Sequence, residues 1–255
     1  GFTLKVKSMF PYCGHKHAHP KQDALAVETW DLSTGYPGDS RVALTDVNIA
    51  VPAGTCVALV GHNGAGKSTL LKTAAGLLPV RSGGIRVLGH PLGHCHNRVV
   101  YLPQRSEIDW HFPISVRKLV MSGRYVHLGW LRLPGREDQK IVDAAMDELD
   151  ITGLADRQIS QLSGGQQQRV LLARAVAQDA DLFLLDEPLN AIDVDTRAIV
   201  SRVLKDLRKA GKTVIVATHF IDRLATEYDG AVYLSEGQQV APAAGGFVGM
   251  KIGKE

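Results

Sequence analysis

Gly61-His62-Asn63-Gly64-Ala65-Gly66-Lys67-Ser68-Thr69 is the stretch whose reading decides the fold. It fits G-x-x-x-x-G-K-[ST] without a gap. Gly61, Gly64 and Gly66 let the backbone turn so that successive N–H groups point inward. Lys67 brings a positive charge to the β- and γ-phosphates of a nucleotide, and Ser68 offers a hydroxyl to Mg²⁺. The flanks agree: Cys56-Val57-Ala58-Leu59-Val60 is an apolar run of buried-strand type, and Ser68 to Ala75 reads as a helix whose N-terminus faces the phosphates. A glycine-rich turn with no ligand would leave a lysine among three glycines without a packing purpose.

Outward from this stretch, 255 residues at 45% hydrophobic content suffice for one large α/β domain with a smaller inserted lobe. The 29 basic and 26 acidic residues are interspersed, so no block marks a nucleic-acid arm or a membrane patch. No apolar run approaches the roughly 18 residues that cross a bilayer. Three scattered cysteines, Cys13, Cys56 and Cys95, make no disulfide framework and suit a reducing, cytoplasmic compartment.

Residues 1–22 are polar and irregular and are expected to form a flexible N-terminal extension. Cys13, His15, His17 and His19 there, and His94, Cys95 and His96 further on, are of metal-ligand type. A solvated tail and a polar loop, neither of which needs a metal, are the favoured readings of the two clusters. Strands are predicted over 24–32 and 43–51. The turn-rich loop between them carries Tyr36, either a stacking platform for a purine or a half-buried loop anchor. Ser82-Gly83-Gly84 predicts a turn before a strand over 85–88, and Val99 to Leu102 predicts another. From Pro113 to Ile159 the period turns helical, with Ile141, Val142, Ala145, Met146 and Leu149 on one stripe. The apolar segment 129–135 inside this insert is either exposed for a partner or packed beneath it.

Leu162-Ser163-Gly164-Gly165-Gln166 precedes an amphipathic helix with Ser163 in N-cap position. Simple capping would account for the serine. The whole pentapeptide, placed after a helical insert, resembles the signature of ATP-binding cassette (ABC) ATPases, and the likeness runs from about residue 24 to 240. That resemblance implies a P-loop NTPase core with an antiparallel β subdomain and an inserted α-helical subdomain. The ABC ATPase domain would span 23–240 with the helical part at about 105–175, followed by a weakly ordered tail over 241–255.

It also implies roles. Asp181-Leu182-Phe183-Leu184-Leu185-Asp186-Glu187-Pro188 ends an apolar strand in two adjacent carboxylates, which packing alone explains poorly. By resemblance Asp186 holds Mg²⁺ and Glu187 polarises the attacking water. His219 matches the switch histidine that reaches the γ-phosphate, and Gln104 matches the glutamine that touches Mg²⁺ or water. Ala191-Ile192-Asp193 resembles the loop that crosses a dimer interface, although Leu189-Asn190 depart from the small residues expected there. The expected nucleotide contacts are Tyr36, residues 61–69 (His62, Asn63 and Ala65 included), Ser163, Gly164, Gly165, Gln166 and Asp193, with ATP and Mg²⁺ bound.

In the family the signature of one copy closes over the ATP of another, so a homodimer is implied. A membrane permease is implied as well, holding the pair at the inner face of the membrane. Residues 105–113, 121–125 and 129–132 are similar to the ATPases of manganese/zinc/iron importers, which also use an extracellular metal-binding protein. Two rival cargoes, siderophore iron and haem iron, remain open. A nucleic-acid ABC ATPase is disfavoured by the unclustered basic residues and the lack of a long coiled-coil insert, so no nucleic-acid partner is expected. The signature argues against a small-molecule kinase.

Overall fold

The computed structural model describes residues 18–128, 133–220 and 224–241. The chain opens with β1 (Val27–Thr34), β2 (Leu44–Val47) and β3 (Ala50–Val51), then enters a second sheet through β4 (Cys56–Val60) and helix α1 (Lys67–Ala74). It returns through β5 (Val80–Val87) and β6 (His90–Pro91) to give an antiparallel sheet of order β2-β1-β5-β6, with β3 beside β1. After β7 (Val99–Leu102) comes the helical segment of α2 (Val116–Met121), α3 (Arg136–Glu148) and α4 (Gly164–Ala177). β8 (Leu182–Asp186), α5 (Val194–Lys209), β9 (Thr213–Thr218), α6 (Leu224–Glu227), β10 (Gly230–Ser235) and β11 (Gln238–Val240) complete the second sheet, of order β11-β10-β4-β9-β8-β7.

From β10 to β7 that sheet is parallel, and β4, β8 and β9 are buried at every position. Burial on both faces is why these strands read as continuous apolar runs instead of alternating ones. Ala58, Val60, Phe183, Leu185, Val214 and Val216 join the core that holds α4 and α5. Their neighbours Val57, Leu59, Leu182, Leu184, Ile215 and Ala217 join α1 and the antiparallel sheet. Helices α2 and α3 pack on α4, burying Val116, Val120, Val142, Ala145 and Met146.

Ser82-Gly83-Gly84 makes no turn: it lies inside β5, which begins at Val80. Here glycine serves a close approach between strands. Gly83 has φ +67°, and a Cβ on it would sit 2.1 Å from the Asp31 carbonyl oxygen, where the register of β1 against β5 shifts. The start of the expected extension and the expected tail, residues 1–17 and 242–255, lie outside the described residues. Residues 18–22, assigned to that extension, are tied to the sheet, because the Ala18 N–H donates to the His94 carbonyl at 3.2 Å and Lys21 to Leu88 at 3.2 Å. Among the described residues no helix is long and apolar enough to cross a membrane.

Candidate functional site

The parallel order brings four segments to one edge of the sheet. Residues 61–69 follow β4, His219 follows β9, Asp186 ends β8 with Glu187 just after it, and Gln104 follows β7. β9 lies between β4 and β8, with Thr218 opposite Val60 and Ala217 opposite Asp186. The carboxyl edge of an open parallel sheet is where such folds bind ligands.

Lys67 is 5% exposed, and its ammonium donates to the carbonyls of Gly61 at 2.8 Å and His62 at 3.0 Å. It stands 3.6 Å from Glu187 Oε1, and His219 Nδ1 stands 3.9 Å from the same oxygen. The other carboxylate oxygen, Oε2, accepts the Asn190 amide at 3.0 Å. Glu187 itself has φ +50°, a left-handed conformation uncommon for a glutamate and typical of residues held for function. Gly66, the N-cap of α1, has φ +100° and supplies no side-chain bond, so the first-turn N–H groups of α1 meet no capping side chain.

Asp186 is 1% exposed. Burial pushes its carboxyl pKa up, and hydrogen bonds from Ser68, Gln104 and Tyr101 oppose that shift. Gln104 Nε2 reaches Asp186 Oδ1 at 3.5 Å and the Tyr101 hydroxyl reaches Oδ2 at 3.3 Å. The Tyr101 phenol is raised by burial first and by the Asp186 charge second, so it stays protonated and donates. A buried carboxylate beside a serine hydroxyl and a glutamine amide is an oxygen-rich set, which fits a hard ion such as Mg²⁺ better than one preferring sulfur or imidazole.

The helix start at Ser163 is built separately. Ser163 Oγ accepts the Gln166 N–H at 3.3 Å and the Ser163 N–H donates to Gln166 Oε1 at 3.0 Å, a reciprocal cap. Among the described residues no hydrogen bond or ion pair joins 163–166 to 61–69. Gly164 lines a cavity of about 430 Å³ with Gln104, Arg105, Glu187 and Asn190. Gly165 lies against the start of α5, where Asp193 Oδ1 accepts the Thr196 N–H at 2.8 Å and Oδ2 accepts the Thr196 hydroxyl at 3.0 Å. Those bonds hold the exposed Asp193 carboxyl below its usual range.

Residues 44–190 match the family model described as ABC transporter. The chain belongs to the ABC transporter family. As an ABC ATPase it is 44% identical over 212 residues, 83% of this chain and 79% of the relative, to the zinc transport system ATP-binding protein TroB of Treponema pallidum. It is 41% identical over 210 residues, 82% and 87% of the two chains, to the manganese transport system ATP-binding protein MntB of Listeria monocytogenes. Among solved structures it resembles the ATP-binding cassette MJ0796, a dimer in a post-hydrolysis state bound to ADP and Pi. The TM-score is 0.74 at 25% identity, covering 84% of this chain and 97% of that one. The ABC ATPase thus binds and hydrolyses nucleotide.

Lys67, Ser68, Gln104, Asp186, Glu187 and His219 are brought together as one site. Tyr36 follows β1 by two residues, at the strand end that pairs with Leu44 beside Gly66; it is 42% exposed, with its carbonyl held by Arg81 at 3.0 Å. Thr69 is buried, and its carbonyl accepts the Thr73 hydroxyl at 2.8 Å. His62 Nδ1 lies 2.7 Å from the Asn63 carbonyl on the exposed limb of the loop. Cys13, His15 and His17 lie outside the described residues. Among the described ones no three His, Cys, Asp or Glu side chains converge as metal ligands, and the Cys95 thiol is buried and faces the Ala18 carbonyl at 3.5 Å. Sequence reasoning passed over Tyr101 and Asn190, which hold the two carboxylates. Asn190 stood out only as an unusual residue at its place.

Proposed function

We propose that this chain is the ATP-hydrolysing subunit of an importer for divalent metal ions of the manganese, zinc and iron class, working as a head-to-tail pair of copies beneath a membrane permease. One observation carries this reading: Lys67, Asp186, Glu187 and His219 converge at the sheet edge, while among the described residues the capped helix start at Ser163 makes no hydrogen bond or ion pair to residues 61–69. Such a half-site is completed by a second copy.

Each pocket then has a division of labour. The first-turn N–H groups of α1 and the Lys67 ammonium receive the β- and γ-phosphates, and the exposed Tyr36 ring stacks on the adenine. Asp186, Ser68 and Gln104 would hold Mg²⁺, which when bound neutralises phosphate charge. Glu187 takes a proton from the attacking water as its oxygen bonds to the γ-phosphorus and the bond to ADP breaks. His219 holds the γ-phosphate from the other side. The helix start of the second copy, Ser163 to Gln166, closes over the same phosphate with its N–H groups, and Asp193 reaches across the interface.

Support for the cargo class comes from relatives named for zinc and manganese. The likeness of residues 105–113 and 121–125 to such importers concerns the side that meets the permease. These residues meet permease and never the ion, so the permease and an extracellular metal-binding protein set the choice of metal. The test is uptake of radioactive manganese and zinc in cells with and without this subunit, beside its own permease. Uptake should vanish without it and return with the wild-type chain but not with Lys67→Ala. Uptake independent of Lys67 would reject the proposal.

A further inference from the structure

Arg197 stands on α5, one turn after the cap at Asp193, whose carbonyl accepts the Arg197 N–H at 3.0 Å. Its side chain leaves the helix toward the catalytic edge of the sheet. Nη2 donates to the Leu189 carbonyl at 3.3 Å, two residues past Glu187. The guanidinium carbon also lies 5.1 Å from the centroid of the Phe220 ring, and that ring lies 4.2 Å from the ring of His219. One side chain therefore touches both loops that carry the reacting groups.

Both loops need an outside tether. Glu187 and Ala191 have φ of +50° and +49°, conformations that a free loop of such residues would leave. His219 is 38% exposed on its side chain and lies 3.9 Å from Glu187, so its orientation depends on the ring it packs against. Phe220 is held by its N–H to the Thr218 hydroxyl at 3.1 Å and by the cation above it. Asn190, next to the Leu189 carbonyl, holds Oε2 of Glu187. A shift of α5 thus reaches Glu187 through Leu189 and Asn190, and His219 through Phe220.

We infer that Arg197 is a positioning residue that brackets the Glu187 and His219 loops to α5, so that hydrolysis proceeds only when the Asp193 end of that helix is seated. The inference rests on the roles given to Glu187 and His219 above. It adds a residue that makes no contact with nucleotide and acts through other side chains.

The test uses the full chain with its permease and measures kcat and KM for ATP separately. Arg197→Ala should lower kcat about tenfold while KM stays within about twofold, because misplacement of reacting groups costs rate and leaves ground-state binding. Arg197→Met, which keeps the aliphatic stem but neither donor nor charge, should be as slow as Arg197→Ala. Arg197→Lys, which returns a cation to the Phe220 ring, should recover part of the loss. In a His219→Ala background Arg197→Ala should cost less than in the wild type, about threefold, since one of the two groups it places is gone while the Leu189 arm to Glu187 remains.

Wild-type kcat in Arg197→Ala or Arg197→Met would overturn the bracket. So would the full tenfold loss repeated in the His219→Ala background. If His219→Ala alone keeps wild-type turnover, the role given to His219 fails. The bracket then stands if Arg197→Ala still lowers kcat through the Leu189 arm and falls if it does not.

Discussion

Gly165→Ala opposes two effects whose balance the structure decides. Gly165 lies in the first turn of α4, where alanine is the better helix former by about 1 kcal/mol, so propensity alone makes the substitution stabilising. A Cβ at this position, however, would lie 2.4 Å from Asp193 Oδ2 and 2.5 Å from the Thr196 hydroxyl oxygen. Reaching an ordinary contact of about 3.5 Å means moving the start of α5 by about 1 Å. Thr196 is 2% exposed and has no room to yield, so overpacking costs about 1–3 kcal/mol and outweighs the propensity gain. The net loss of up to about 2 kcal/mol should lower the thermal midpoint by up to about 6 °C in a domain of this size.

The same movement displaces Asp193, so kcat for ATP should fall at least about tenfold. Nucleotide affinity at residues 61–69 should hold. Circular dichroism melts and steady-state ATPase assays on the purified chain with its permease check both. A raised melting midpoint with unchanged turnover would show that α4 and α5 are not packed as described, and the reasoning would be wrong.

Other expectations follow from single contacts. Glu187→Gln keeps the shape and the Asn190 contact but removes the proton acceptor, so ATP binding should persist while hydrolysis slows at least about 100-fold in single-turnover assays. Tyr36→Ala should weaken ATP binding about threefold to tenfold with little change in kcat, the worth of one aromatic stack. Asp138 accepts from the Gly135 N–H at 2.9 Å and from Arg124 Nε at 3.0 Å, and these bonds hold its carboxyl below the ordinary 3.8. A depressed folded-state pKa contributes stability that is complete above the unfolded value and lost as pH falls through the folded one. Asp138→Asn should therefore cost about 1 kcal/mol at pH 7, and the gap to wild type should close below pH 3.8 in acid melts.

Much of the site is legible in the chain because its chemistry restricts residue types locally. Three glycines before Lys67, two carboxylates at the end of an apolar strand and a serine cap before two glycines each satisfy demands that ordinary packing does not make. The partners of those residues are set by topology, which local pattern does not carry. Tyr101 reaches Asp186 because β7 lies parallel to β8 with Leu102 opposite Leu185. Nothing within a few residues of Tyr101 announces that neighbour. Arg197 is read from sequence as one more charge on an amphipathic helix, yet it points at two distant loops. The misplaced turn at Ser82-Gly83-Gly84 has the same origin. Glycine commonly ends strands, but here the Trp30 ring crosses Gly84, where a Cβ would lie 2.1 Å from Cζ2.

That each nucleotide pocket is half built by one copy and half by another is tested most directly by the mass of Glu187→Gln in solution. Loaded with ATP and Mg²⁺, this variant should run as two chains by light scattering and return to one when the nucleotide is removed. A single-chain mass with ATP bound, both alone and beside the permease, would contradict the composite site.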